Sequence, residues 1–153
     1  MAFSLRGYLQ KQWRQRADPV VTFPTITDLE TVARERGWTI TQILNTHEHL
    51  DHTAGNAGVV AATGAQVMAH AAGAARIGGV DRALVGGDVI SLGRDLRFQC
   101  LDTPGHTMAH VCLYAEGDSP LLFSGDTLFN AGVGNCRGGG DPVSLYRTCS
   151  QVL

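Results

Sequence analysis

Trp38-Thr39-Ile40-Thr41-Gln42-Ile43-Leu44, running directly into Asn45-Thr46-His47-Glu48-His49-Leu50-Asp51-His52, is the stretch on which the fold turns. Its first seven residues are rich in β-branched and apolar side chains and predict a strand. A polar turn follows, carrying His47, His49, Asp51 and His52. Imidazole and carboxylate are the donors that a borderline-soft divalent cation takes. In an extended turn His47 and His49 share a face, because side chains two apart point the same way. Asp51 and His52 then leave in another direction as the chain turns. One short stretch thus offers two ligands to one metal and two to a neighbour. A histidine-rich surface tract would not have an apolar strand feeding straight into it.

Working outward, Thr27-Asp28-Leu29-Glu30 is a capping-box pattern that predicts a helix start at Thr27, with Gly37 as its stop. A small-residue helix is expected over 57–62, ending at Gly64, and a buried strand over 66–69. The segment 71–87 reads as a loop with one short helix. Two β-hairpins are expected, 89–92 with 96–101 and 111–114 with 121–124. A last helix starts from Asp141 as N-cap with Pro142 in its first turn. Strands and helices mixed in this way give an α/β, or layered α+β, class.

Two of these strands end as the first one does. Leu101-Asp102-Thr103-Pro104-Gly105-His106-Thr107 delivers His106 in a Pro-Gly turn, and Leu122-Phe123-Ser124-Gly125-Asp126-Thr127 delivers Asp126. Alone, each is ordinary turn chemistry. Joined to the first stretch, they make three strand ends bringing metal-type ligands to one sheet edge.

The composition narrows the field. The chain has 153 residues, 44% hydrophobic and 17% charged, which is globular and sized for a single domain. A formal charge of -2 gives no basic field for nucleic acid. No apolar run reaches the roughly 18–20 residues of a membrane span. The first sixteen residues have no apolar core and no small-residue cleavage site, so they do not read as a secretory signal. Cys100, Cys112, Cys136 and Cys149 form no C-x-x-C pair, so reduced thiols and a cytoplasmic location are expected.

His47-Glu48-His49-Leu50-Asp51-His52, Thr103-Pro104-Gly105-His106-Thr107 and Gly125-Asp126-Thr127-Leu128-Phe129, in this order, resemble the metallo-β-lactamase superfamily, in particular its glyoxalase II (hydroxyacylglutathione hydrolase) branch. The resemblance spans 27–153 and implies an αβ/βα sandwich, here a partial one, as a single domain. It implies that His47, His49 and His106 hold one divalent metal, that Asp51 and His52 hold a second, and that Asp126 bridges them. Asp51 is also counted as catalytic, and His110 stands behind the ligands and orients them. The implied cofactor is a pair of divalent ions, zinc by preference, with iron or manganese suited to the same donors. Two such ions lower the pKa of a bridging water so that hydroxide attacks a carbonyl near pH 7. The implied substrate is a small thioester, an S-2-hydroxyacylglutathione hydrolysed to a 2-hydroxy acid and glutathione. A thiolate leaves without a strong general acid, and no G-x-S-x-G elbow is present or required.

The chain departs from the pattern in three places. Related hydrolases carry a further ligand histidine downstream of Gly-Asp-Thr, which residues 127–153 lack, so the second metal site is expected to be open. Residues 1–26 are atypical, with only Asp18-Pro19-Val20 resembling the end of the usual first strand pair. Asn135-Cys136-Arg137 stands where a basic and an aromatic residue commonly contact glutathione; Asn135 and Arg137 are the expected substrate contacts, Arg137 as a fork for a carboxylate. A shortened or divergent member would leave a sheet edge bare and prone to self-association. Two alternatives are a mononuclear iron sulfur dioxygenase of the same superfamily and a metal-binding or inactive fragment. His70, beyond its strand, reads as an ordinary polar residue.

Overall fold

Helix α1 spans Ile26–Arg36 and stops at Gly37. Its end is a Schellman closure: the Trp38 N–H reaches the Ala33 carbonyl at 2.8 Å and the Gly37 N–H the Arg34 carbonyl at 3.2 Å. The computed structural model describes residues 26–153. The expectations for Asp18-Pro19-Val20 and for residues 1–25 lie outside them. As described, α1 begins one residue before Thr27, so Thr27 is inside the helix and not its N-cap.

Strand β1 is Gln42–Leu44, shorter than the expected 38–44. Its length is set by its partner: β2, Gln66–His70, begins opposite Gln42, and its first N–H, that of Gln66, already reaches back to the Thr41 carbonyl at 3.0 Å. The two are parallel and are connected by α2 (Leu50–Thr53) and α3 (Asn56–Thr63), the crossover that parallel pairing requires. A 3-10 turn at Ala71–Gly73 and α4 (Ala74–Ile77) lead to β3, Arg82–Leu84, which completes a parallel sheet in the order β1-β2-β3. β3 is a strand where a loop was expected. Only one of its three residues, Leu84, is buried, so it carries no periodic signal.

The second sheet is antiparallel, in the order β4-β5-β6-β7, with β4 Val89–Leu92, β5 Leu96–Asp102, β6 Val111–Ala115 and β7 Leu121–Phe123. Both expected hairpins are present. In β5, Phe98 and Cys100 face inward while Arg97 and Gln99 face out, the alternation of a half-buried strand. Met68 and Leu84 from one sheet pack against Ile90, Phe98, Cys100, Leu113 and Ala115 from the other, with Leu44 at the margin. The large ones, Met68, Leu84, Ile90, Phe98 and Leu113, contribute roughly 1.5–3 kcal/mol each on burial. A short hairpin follows, β8 (Leu128–Phe129) with β9 (Gly132–Val133), and then α5, Pro142–Gln151. The Asp141 carboxylate caps α5 by accepting from the Ser144 N–H at 2.7 Å, as its sequence predicted.

The architecture is a partial αβ/βα sandwich. The strands β1, β5 and β7 end next to the three ligand-bearing turns, and the Val111 N–H to Thr46 carbonyl bond at 2.8 Å ties the first of those turns to the second sheet.

Candidate metal centre

After β1 the chain bends at Thr46 and His47, is extended at His49 (φ -64, ψ 144), and then coils into α2. The rings of His47 and His49 meet, while the Glu48 carboxylate faces Arg76 and Thr107 instead. Residues 103–107 form a turn behind β5, closed by the Gly105 N–H to Thr107 carbonyl bond at 2.9 Å. Gly105 is essential there: its φ is +152°, and a Cβ would lie 2.6 Å from that of Leu145 on α5. His106 is thereby aimed back at the first turn.

Three imidazole nitrogens meet. His49 Nδ1 lies 3.2 Å from His47 Nε2 and 3.0 Å from His106 Nε2. The opposite nitrogens decide what this contact is. His106 Nδ1 is 2.5 Å from the Asn135 carbonyl, and His49 Nε2 is 3.3 Å from the Gly138 carbonyl. A carbonyl only accepts, so both of those nitrogens carry the proton. The inner nitrogens of His49 and His106 are then bare lone pairs facing each other, which repel unless a cation lies between them. Tetrahedral bonds of about 2.0–2.1 Å would set ligand nitrogens roughly 3.3 Å apart. Thr46 Oγ1, 3.1 Å from His47 Nδ1, can take that ring's proton in the same way. The donors fit a divalent metal, with ring orientation fixed from behind as in metal sites generally.

A second group adjoins the first. One ligand atom each from His47, His52 and Asp126 lies within 4.8 Å of the others, as is also true of His47, His49 and His106. Asp126 reaches both groups: one carboxylate oxygen is 3.3 Å from His52 Nε2 and the other 3.5 Å from His106 Nε2. Asp51 belongs to neither group. Its side chain is 81% exposed and its nearer oxygen lies 3.7 Å from His52 Nε2. Consecutive residues on α2 point about 100° apart, so His52 turns inward where Asp51 turns out.

Behind the ligands lies a buried polar layer. His110 is 1% exposed and stacks on His47 at 5.1 Å between centroids. Its Nδ1 lies 2.8 Å from Thr103 Oγ1 and 3.1 Å from Thr127 Oγ1, so it links the turn before His106 to the one holding Asp126. Burial, and then the neighbouring imidazoles, lower its pKa to about 3; burial, then His52 and His106, lower that of His47 to about 4. Both rings are therefore neutral at pH 7, the form that binds metal.

The loop 134–140 closes the site from the other side. Gly138 allows its approach, since a Cβ would stand 2.7 Å from His49 Nε2. Asn135 takes part through its backbone carbonyl, while its side chain accepts from the Arg137 N–H at 3.0 Å; Asn135 and Arg137 are exposed. His70 stands apart from both groups, with Nδ1 accepting from the Ala72 N–H at 3.2 Å and Nε2 3.3 Å from Asp102. Thr46, Thr103 and Thr127 carry no signal in the sequence, because a threonine that supports a histidine looks like any strand or turn residue until its partner is known.

Residues 18–148 match the model of the metallo-beta-lactamase superfamily. The chain belongs to that superfamily. Over 121 residues, 79% of its length, it is 59% identical to a hydroxyacylglutathione hydrolase of Polaromonas sp. strain JS666, covering 46% of that protein. This superfamily member thus spans about half the length of the curated relatives it matches. Among solved structures it is similar to ETHE1 from Myxococcus xanthus, with a TM-score of 0.73 and 29% identity over 85% of this chain and 56% of that one. It is also similar to TTHA1623 in a di-iron-bound form, with a TM-score of 0.64 and 29% identity over 81% of this chain and 69% of that one. Divalent metal binding follows from the superfamily, and the donor set above is chemically suited to it. Among the described residues, no helix is long and apolar enough to cross a membrane.

Proposed function

We propose that the chain carries the metal site of a glyoxalase II-type hydrolase, which converts an S-2-hydroxyacylglutathione and water to a 2-hydroxy acid and glutathione. The observation that carries this is the pair of lone pairs on His49 and His106, 3.0 Å apart, beside an Asp126 carboxylate that reaches toward both histidine groups. The identity to a hydroxyacylglutathione hydrolase supports the substrate class. His47, His49 and His106 would hold one ion and His52 a second, shared through Asp126, with Asp51 swinging in from its exposed position to complete the second set; zinc is the proposed metal. Two bound cations supply hydroxide near pH 7 and polarise a carbonyl.

The chain's own groups then have distinct tasks. The carbonyls of Asn135 and Gly138 hold the protons of His106 and His49 on the outer nitrogens. Buried His110 spaces two of the ligand turns. Exposed Arg137, on the loop over the site, meets a carboxylate of the substrate as a fork. The site is that of a single domain over 27–153 in a cytoplasmic protein. Among the described residues β7 is an edge strand, and its exposed Leu121, Leu122 and Phe123 support self-association.

Metal analysis of the full chain, combined with a thioester hydrolysis assay, tests this. Two ions per chain and hydrolysis that disappears in His49→Ala are expected. One iron with oxygen uptake, or two bound ions without thioester hydrolysis, would sink the proposal.

A further inference from the structure

We infer that Glu48 is a positioning residue that ties the turn carrying His47 and His49 to the turn carrying His106, and so sets the spacing of the first ion's ligands. Glu48 lies between the two histidines in sequence, but its carboxylate faces Arg76 and Thr107 rather than the imidazole cluster. Its side chain is only 9% exposed, and each oxygen has a partner: Arg76 Nη2 lies 2.7 Å from Oε1, and the Thr107 hydroxyl donates to Oε2 at 3.0 Å. Thr107 is itself 1% exposed and is the residue next to His106.

A carboxylate this deep is costly unless both oxygens are engaged. The Arg76 side chain is 60% exposed, so its pair with Glu48 is largely solvated and works as an outer anchor. The Thr107 bond is charge-assisted and part-buried, and it joins the two ligand turns on the side away from the imidazole cluster. The Gly73 turn lies beside the same carboxylate, where an added Cβ would meet Glu48 Oε2 at 3.6 Å. Glu48 is therefore held in place by its two polar partners, Arg76 and Thr107.

This inference rests on the metal centre proposed above, and its test separates the two. The probe is Co(II) alone, titrated into the full apoprotein against a competing chelator, with the ligand-field spectrum recorded. Every variant is measured where circular dichroism shows it folded, so that lost global stability alone leaves affinity unchanged. Glu48→Gln and Thr107→Val should each weaken the first Co(II) roughly tenfold or more, the usual range for groups that orient ligands, and shift its bands. Thr107→Ser, which keeps the hydroxyl, should restore both affinity and spectrum. Either weakening variant suffices if the other fails to fold. Wild-type affinity and spectrum in both would overturn the inference while leaving the metal centre standing. A wild-type chain that takes up no Co(II) would overturn both.

Discussion

Truncating His110 to alanine removes the ring that spaces two ligand turns without taking away a ligand. The ring is 1% exposed and reaches the hydroxyls of Thr103 at 2.8 Å and Thr127 at 3.1 Å. Lost packing and the cavity left behind cost on the order of 2–5 kcal/mol. Two buried hydroxyls short of a partner add about 1–3 kcal/mol, partly relieved by Cys112 alongside. The expected loss is about 3–8 kcal/mol for the apoprotein at pH 7, toward the lower end where Cys112 relieves the hydroxyls, measured by urea denaturation followed by circular dichroism. The pH dependence carries a sign. The folded-state pKa of His110 is lowered to about 3 from an ordinary 6.5, so the unfolded chain binds a proton that the native one refuses. Stability from this neutral ring is complete above pH 6.5 and drains away as pH falls toward 3. Between pH 7 and pH 5 wild type should lose about 2 kcal/mol through His110 that the variant cannot lose, so the gap between them narrows. A gap under about 1 kcal/mol at pH 7, or one that widens on acidification, would refute the reasoning.

Gly105→Ala should destabilise by about 1–3 kcal/mol or more, because the new Cβ meets α5 2.6 Å from that of Leu145 at a φ of +152°; an unchanged thermal midpoint would show that α5 yields freely. Asp51→Asn should leave the urea midpoint of the apoprotein untouched, since the side chain is 81% exposed. In calorimetric titration it should weaken the second ion alone, and weakening of the first would mean that Asp51 serves the other site.

Much of this arrangement was legible because it rests on short-range rules. His47 and His49 converge although the chain bends at Thr46 and His47, because they stand two apart with His49 extended, and both hairpins follow from Gly93 and Gly117 between apolar runs. Asp141 capped its helix as its position predicted. The pairing of Asp51 with His52 did not come through as a shared inward face, because the turn coils into α2 at Leu50, and helical spacing parts the two side chains. The first strand was overlength because only its partner's start at Gln66 limits it. β3 was missed because Arg82 and Ala83 stay exposed and only Leu84 enters the core. The layer of Thr103, Thr127 and His110 was the least legible part, because its members come from three separate segments and meet only in the fold.

The most direct measurement is metal content by elemental mass spectrometry on the purified full chain and on three single variants, His49→Ala, His106→Ala and His70→Ala. Wild type should retain two ions, and loss of either His49 or His106 should empty the first site, because two histidines and the shared Asp126 carboxylate hold the ion too weakly. His70→Ala should match wild type, since that ring is engaged with Ala72 and Asp102. Equal losses in His70→Ala and His49→Ala, or a wild-type chain that holds no metal, would contradict the assignment of the site.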